Sequence, residues 1–207
     1  MEKEDTEIFK EALALHFGQL KTSNPEQFKA AVNNFEMREI CVKHRGKYIE
    51  FIAMMESAID DIIVEHFCGG DAVKKDELMH VILVTDKITL MSKWLIVKFI
   101  YEAYFPEVNK WFNATNDTGK TMYNTVIDII KDRNKIAHRI YSPTIEEELG
   151  FDGKTINLSK KEESKGKIVN KPLLLNEDIM KELGETMAVL FIKLIEIQKA
   201  IIKKRTD

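Results

Sequence analysis

The residues best suited to chemistry in this chain are an arginine, an asparagine and a histidine that fall within six positions: Arg133, Asn134 and His138. A histidine can accept or donate a proton near neutral pH. An arginine can bind a phosphate and stabilise the negative charge that builds on it. Together these groups suit transesterification of RNA, in which the ribose 2′-hydroxyl attacks the neighbouring phosphate. That reaction requires no metal, no cofactor and no nucleophile from the protein.

Helical spacing limits how these three side chains can act. Asn134 and His138 are four residues apart, so on a helix they share a face and can hydrogen-bond. Arg133 and His138 are five residues apart, which separates them by roughly 140° at about 100° per residue. Two copies of the helix that meet across a twofold axis could bring an arginine and a histidine into one cleft. The spacing therefore favours a homodimer, although it does not require one.

A purely structural explanation of the same residues remains open. Cations stabilise the C-terminal end of a helix through its dipole, and a helix is predicted to end here. Arg38 and His44 form a similar pair elsewhere, without an asparagine beside the arginine. The cationic residues near the predicted helix end are Lys131, Arg133, Lys135, His138 and Arg139.

Composition predicts a folded cytoplasmic protein. The 207 residues are 44% hydrophobic and 31% charged, which fits one globular domain and argues against disorder. The net charge of −3 gives no global case for nucleic-acid binding, so that case depends on local patches. The two cysteines, Cys41 and Cys68, suit a reducing compartment. The acidic N-terminus does not resemble a signal peptide, and the longest apolar run is too short and too charged to span a membrane.

Apolar residues at helical spacing dominate the chain and predict an all-α fold. The strongest stripe runs from Tyr48 to His66 and predicts a packed bundle helix. A separate helix is predicted to start at Pro25, and another to start near Thr85-Asp86 and reach about Tyr104. One more is predicted to end at His138.

The last part of the chain changes character before it becomes helical again. Residues 141–175 contain prolines, glycines and short β-like segments, which predict a long connection with a hairpin. A final helix is predicted over about residues 176–204. The sequence thus predicts an antiparallel helical bundle with a long connection before its last helix. Residues 1–40 would be a helical appendage and residues 41–207 the main domain.

The run Arg-Asn-Lys-Ile-Ala-His, residues 133–138, resembles the signature of the HEPN superfamily. That signature is an arginine, a polar residue that is often asparagine, and a histidine after four to six intervening residues. The context is also similar, because the signature closes an apolar helix and is followed by a connection and one long last helix. The helix over residues 48–67 is similar to the first core helix of the family. The resemblance covers roughly residues 45–204.

The resemblance implies a helical bundle that dimerises, with the signature in a shared cleft. Many members are ribonucleases of toxin–antitoxin, abortive-infection or other anti-phage defence systems. On this chain the resemblance assigns Arg133 to the scissile phosphate, His138 to proton transfer and Asn134 to orientation. The products would be a 2′,3′-cyclic phosphate and a 5′-hydroxyl. Ile140 departs from a subgroup paired with nucleotidyltransferase antitoxins, where a tyrosine stands at that position.

Two functions therefore remain open. The first is a homodimeric endoribonuclease, with an antitoxin or another protein as its partner. The second is a non-catalytic HEPN-like module that binds a nucleotide, RNA or a protein. If the chain binds RNA, basic residues beside the cleft could bind its phosphates, although most lysine runs merely solvate a loop. The candidates are Lys131, Lys135 and Arg139 near the signature, and Lys160, Lys161 and Lys165 in the long connection.

Three other groups of residues have a structural and a functional interpretation. The run Thr118–Thr121 is similar to the end of a phosphate-binding loop but lacks its first glycine, so a capped helix start is favoured. The acidic cluster of Glu56, Asp60, Asp61 and Glu65, with His66 beside it, is predicted to be a solvated face rather than a metal site. A secondary alternative is that Glu56 or Asp60 positions Arg133. Four aromatic residues are predicted to pack in the core: Trp94, Phe99, Tyr101 and Trp111.

Overall fold

The chain forms two compact units, each built from two separated stretches of sequence. One unit contains residues 1–43 and 140–174, and the other contains residues 44–139 and 175–207. The computed structural model describes residues 18, 21–83, 88–116, 119–138, 140–141, 156–159, 161–164, 167–170 and 173–206. Most of residues 1–20, the first half of the predicted helical appendage, lies outside the described residues.

The described residues are mostly helical, which confirms the prediction of an all-α bundle. The helices are α1 (Pro25–Cys68), α2 (Ala72–Leu78), a π-helical segment (Met79–Leu83), α3 (Leu90–Tyr104), α4 (Pro106–Asn113), α5 (Met122–His138) and α6 (Glu177–Thr206).

Helix α1 is a single helix of 44 residues where two were predicted. It starts after Asn24, whose carbonyl accepts the amide of Phe28, and it ends before Gly69 in the left-handed conformation (φ 64°). Between Phe35 and Tyr48 the chain contains one glycine and no proline, so nothing forces the helix to stop there. The predicted boundary at residues 40 and 41 falls inside this helix, and the division into appendage and main domain stays a prediction.

The core of the second unit lies along one stripe of α1, as predicted. Ile52, Met55, Ile59 and Ile62 are all buried. Burial of each large apolar side chain stabilises the bundle by about 1.5–3 kcal/mol. The other helices contribute buried residues that include Trp94 and Val97 from α3, Phe112 from α4, Val126 from α5, and Leu190, Leu194 and Ile197 from α6.

Helix α3 starts later than predicted. Its N-cap is Thr89, whose hydroxyl oxygen accepts the amide of Ser92, so the predicted cap at Thr85-Asp86 is wrong. Thr85 and Asp86 lie outside the described residues. The predicted end of the helix near Tyr104 is confirmed: α3 ends at Tyr104, and Pro106 opens α4, where a missing amide hydrogen costs little.

Contacts with α1 set the directions of the two helices that flank it. Tyr48 contacts Ile129 and Arg45 contacts Ala137, so α5 runs antiparallel to α1. The start of α6 lies beside residues 44–47 of α1, and residues 194–198 lie beside residues 58–61. Helix α6 therefore runs in the same direction as α1, and the C-terminal end of α5 and the N-terminal end of α6 lie at the same end of this unit.

Short strands occupy part of the long connection, as expected. Strands β1 (Ile140–Tyr141), β2 (Ile156–Ser159) and β5 (Leu173–Leu175) form a sheet in the order β1-β2-β5. The hairpin pairs β3 (Lys161–Ser164) with β4 (Lys167–Asn170). The two β-like segments recognised in the sequence are therefore strands, but they belong to different sheets because β2 pairs antiparallel with β1.

Candidate functional site

Helix α5, which contains the candidate motif, starts at a capped turn. Gly119 takes a left-handed conformation (φ 74°) that lets the chain reverse before the helix. The Thr121 hydroxyl oxygen then accepts the amide of Asn124, and the Lys120 ammonium lies 2.7 Å from the Asp128 carboxylate. The favoured interpretation of this run as a capped helix start is confirmed. Its glycine and threonine stabilise the N-terminal end of α5.

The opposite end of α5 presents Arg133 and Asn134 to solvent. Both side chains are exposed, and an Nη1 hydrogen of Arg133 is donated to Oδ1 of Asn134 at 3.2 Å. The Asn134 oxygen thereby orients the guanidinium, and its expected role towards His138 stays a prediction. His138 is the last residue of the helix, and its side chain lies outside the described residues, as does Arg139. The structure thus brings Arg133 and Asn134 together on the last turns of α5.

Two lysines add positive charge to this part of α5. Lys131 and Lys135 are both exposed, and Lys135 forms an ion pair with Asp132 one turn earlier. The hydrogen bond from Lys120 lowers the pKa of Asp128, and the charges of Lys131 and Lys135 lower it further. Lys161 begins β3, but its side chain lies outside the described residues, as do Lys160 and Lys165 entirely.

Two side chains of α1 anchor the helix end that presents Arg133. The Tyr48 hydroxyl donates to the carbonyl of Ile129 at 3.0 Å, and Nη2 of Arg45 donates to the carbonyl of Ala137 at 3.3 Å. These carbonyls lie on either side of Arg133, four residues away in each direction. Carbonyls in the last turn of a helix lack helical partners, so the Arg45 bond satisfies one of them.

Neither anchoring residue could be assigned its role from the sequence. Tyr48 was recognised as part of the apolar stripe, which is correct, because it is buried. Burial raises the pKa of its hydroxyl, and the charge of Asp132 raises it further. No sequence pattern indicated a role for Arg45, because the carbonyl that it binds lies 92 residues away in the chain. Only a pairing of α1 with α5 could have identified it.

A second charged cluster lies in the interior of the same unit. The Lys93 ammonium, nearly inaccessible to solvent, lies 2.8 Å from a carboxylate oxygen of Glu56 and 2.9 Å from one of Asp60. Asp60 is also buried, and burial raises its pKa although Lys93 lowers it. Burial lowers the pKa of Lys93, but the two carboxylates raise it more, and the net pKa lies above its ordinary value. We call these three residues the buried triad.

The buried triad corrects the prediction for Asp60. The acidic cluster was expected on a solvated face, with the alternative that Glu56 or Asp60 positions Arg133. Asp61 is exposed and Glu56 is half-buried, but Asp60 is buried. Glu56 and Asp60 both bind Lys93, a residue of α3 for which the sequence predicted no role. Lone buried charges are unstable, so the lysine requires carboxylates beside it. Periodicity in α1 alone could not show which of its acidic residues face α3.

The aromatic residues divide between core and surface. Trp94 and Tyr101 are fully buried, and Tyr101 stacks on Phe112 at 4.6 Å between ring centroids. Trp111 is half-buried beneath the ammonium of Lys193. Phe99 was predicted to pack in the core, but 61% of its surface is exposed. Trp94 and Tyr101 therefore confirm the prediction, and Phe99 contradicts it.

Comparisons with known proteins do not distinguish the ribonuclease from the binding module. Comparison of the chain with family models, curated proteins and solved structures found no match. Within the described ranges, no three His, Cys, Asp or Glu side chains converge as metal ligands would. None of the described helices combines the length and apolar character needed to cross a bilayer. The functional argument therefore depends on the end of α5.

Proposed function

We propose that the chain is a HEPN-type endoribonuclease that cleaves RNA without a metal and acts in a toxin–antitoxin or other anti-phage defence system. The observation that carries the proposal is the exposed Arg133–Asn134 pair on a helix end that α1 anchors and that closes at His138. An exposed guanidinium held by a neighbour and flanked by lysines is well suited to bind a phosphodiester.

The proposed reaction divides the chemistry between two side chains. The ribose 2′-oxygen forms a bond to the adjacent phosphorus, and the bond from phosphorus to the 5′-oxygen breaks. His138 takes the proton from the 2′-hydroxyl and supplies a proton to the leaving 5′-oxygen. Arg133 stabilises the extra negative charge on the phosphoryl oxygens as the 2′-oxygen attacks. The products are a 2′,3′-cyclic phosphate and a 5′-hydroxyl.

Asn134, the basic residues and a second copy complete the proposal. The Asn134 oxygen holds the Arg133 guanidinium, and the exposed Lys131 and Lys135 bind neighbouring phosphates. The active species is proposed to be a homodimer, with RNA as substrate and an antitoxin or another protein as its neutralising partner. A non-catalytic module that binds a nucleotide, RNA or a protein is the alternative function.

The test is RNA cleavage by the purified chain in EDTA, with Arg133→Ala and His138→Ala beside it. We expect cyclic-phosphate ends from the wild type and a loss of about 100-fold or more in both variants. Arg38→Ala and His80→Ala are matched controls, because both residues are exposed and lie away from α5 in sequence. They should cleave like the wild type. A folded wild type that cleaves no RNA across a broad panel would favour the binding-module alternative.

A further inference from the structure

A small pocket lies beside the N-terminal end of α5 and has a volume of about 210 Å³. Pockets for drug-sized ligands measure about 300–1,000 Å³, so this one has the size for a single planar ring. Apolar surface with a few fixed polar groups is suited to bind one base of a nucleic acid. The apolar walls include Trp111 and Met122, and the polar walls include Thr115, Asn116, Lys120 and Thr125.

Trp111 gives this pocket an aromatic surface that the core does not fully bury. The residue is half-buried, and its indole N–H donates to no acceptor among the described residues. The Lys193 ammonium lies 5.7 Å from the centre of its ring, but Lys193 is not a wall of the pocket. The pocket therefore borders a part of Trp111 that Lys193 leaves open. A base stacked on such a ring typically raises affinity by about 5–150-fold, whichever base it is, because every base has a π-face.

The turn that precedes α5 fixes the polar wall of the pocket. Oδ1 of Asn116 accepts the amide of Lys120 at 2.9 Å. Thr115 pairs with Thr121 in an isolated β-bridge. The wall is thus formed before any ligand arrives, which lowers the entropic cost of binding.

A stripe of polar and basic residues leads from the pocket along the outer face of α5. Positions 120, 124, 128, 131, 135 and 138 step by four, four, three, four and three, which keeps them on one helical face. Lys120 precedes the helix, but its ammonium reaches the Asp128 carboxylate on this face at 2.7 Å. Lys131 and Lys135 are both exposed. The stripe ends at position 138, the last residue of α5.

This face stays positive when its carboxylates are counted. Asp128 pairs with Lys120, and Asp132, beside the stripe, pairs with Lys135. Lys131 forms no ion pair with any residue that the structure describes. A lysine-rich helix face alone is an ordinary solvated surface. This one joins an aromatic pocket to the helix end of the proposed cleavage site, and cations for a backbone with an aromatic ring for a base are the combination that binds single strands.

We propose that the substrate is single-stranded RNA, that one of its bases stacks on Trp111 in this pocket, and that its backbone follows Lys131 and Lys135 towards position 138. A base in a duplex is paired and stacked, so only an unpaired base enters such a pocket. The inference rests on the proposed function, because it takes RNA as the substrate.

The length of α5 sets the length of RNA that uses both ends. From Met122 to position 138 the helix extends about 24 Å, which is about seven stacked nucleotides, or fewer in an extended strand. Arg133 lies roughly 140° from position 138 around the helix. In the proposed homodimer, Arg133 of the second copy would therefore complete the cleft that this stripe reaches.

The first experiment measures binding of a labelled 12-nucleotide 2′-O-methyl RNA by fluorescence anisotropy in EDTA. This probe has no free 2′-hydroxyl, so binding is separated from cleavage. We expect Trp111→Ala to raise Kd about tenfold, and Trp111→Phe to raise it less than about threefold because an aromatic ring remains. Phe67→Ala is the matched control, since Phe67 is 61% exposed and is not a wall of the pocket. It should bind like the wild type.

A second variant guards against a fold effect of removing Trp111. Ala114→Leu narrows the pocket while Trp111 stays, because Ala114 is an exposed wall residue. It should also raise Kd about tenfold, with an unchanged circular dichroism spectrum.

The salt dependence of Kd tests the basic stripe. Lys131→Ala should lower the slope of log Kd against log salt by about 0.7, the value for one phosphate contact with a single strand. Trp111→Ala should leave that slope unchanged, because stacking releases no counterion. Lys199→Ala, an exposed lysine of α6, is the control and should also leave it unchanged.

The outcomes separate this inference from the proposed cleavage. A 12-mer that Trp111→Ala binds as tightly as the wild type does would overturn the inference, even if RNA is cleaved. So would a wild type that does not bind the 12-mer, or a loss in Trp111→Phe as large as that in Trp111→Ala. Trp111-dependent binding by a wild type that cleaves no RNA would support the pocket and contradict the ribonuclease.

Discussion

The buried triad and the Arg133–Asn134 pair use the same kinds of residue in opposite environments. In the triad, Lys93 and Asp60 are buried, and the Lys93 ammonium donates its described hydrogen bonds to the carboxylates of Glu56 and Asp60. In the pair, Arg133 is exposed and bonds one neutral side-chain oxygen, so most of its donors face solvent. The difference teaches that a buried charge paired with opposite charges stabilises the fold. An exposed charge that is held in place by a neutral group stays available to bind a ligand.

The largest effect on stability is expected from breaking the triad. Lys93→Ala leaves the buried Asp60 and the half-buried Glu56 without their cation, which should lower the free energy of unfolding by about 3–5 kcal/mol, chiefly through Asp60. Urea denaturation followed by circular dichroism measures it. Lys98→Ala is the control, because Lys98 lies on the same helix and pairs with Glu102 at the surface. It should cost less than about 1 kcal/mol. A loss of under 1 kcal/mol in Lys93→Ala would contradict the assignment.

The second effect is a loss of stability at alkaline pH. Lys93, Tyr48 and Tyr101 all have a pKa that is raised in the folded state. Burial is the main cause for the two tyrosines. For Lys93, burial lowers the pKa, but Glu56 and Asp60 raise it by more. Each group holds its proton in the folded chain after the unfolded chain has released it. Their contribution is therefore complete below about pH 10 and is lost as pH rises through the raised values.

Substitution of one tyrosine isolates its contribution to the loss of stability with pH. Each contributes up to about 1.4 kcal/mol per pH unit above its unfolded pKa. Tyr48→Phe should remove one such contribution and flatten the alkaline limb of stability against pH, measured by urea midpoints between neutral and alkaline buffers. Tyr104→Phe is a suitable control, because Tyr104 is exposed. An unchanged limb in Tyr48→Phe would show that its hydroxyl ionises normally.

A smaller effect on stability is expected from releasing the helix end. Arg45→Met removes the hydrogen bond to the Ala137 carbonyl, which should cost about 1 kcal/mol. Hydrogen exchange should rise in the last turn of α5 and remain unchanged in its first turns. If the proposed cleavage occurs, kcat should fall about tenfold with little change in KM, because a misplaced Arg133 acts poorly on the reacting phosphate. Unchanged exchange in residues 135–138 would rule out an anchoring role for Arg45.

The smallest effect on stability is expected at Arg133 itself. Arg133→Ala removes an exposed side chain whose one described bond is to its neighbour, so the free energy of unfolding should change by less than about 0.5 kcal/mol. Its effect on RNA cleavage should be the largest of all. Lys93→Ala should therefore affect stability most, and Arg133→Ala should affect RNA cleavage most. A strongly destabilised Arg133→Ala would instead support a structural role at the helix end.

Much of the helical architecture could be predicted from local pattern. The α1 stripe, the end of α5 at His138 and the capped start at Thr121 all follow from residues within a few turns of one another. The predictions that were wrong concerned the burial of a single side chain and the residue that caps a helix. Phe99 has helical spacing with core residues yet faces solvent, and Thr89 caps α3 where Thr85-Asp86 was expected.

The amino-acid sequence by itself determined that the segments ending near Cys68, Tyr104 and His138 and the last segment are helical, which stripe of α1 is buried, and that Arg133, Asn134 and His138 share the end of one helix. Those features depend on spacing within a single element, where apolar periodicity and capping act locally. Only the tertiary structure decided that Glu56 and Asp60 neutralise Lys93 and that Arg45 and Tyr48 anchor α5. Each of these depends on which faces of two helices meet, and that is set by the packing of the whole core rather than by any one segment.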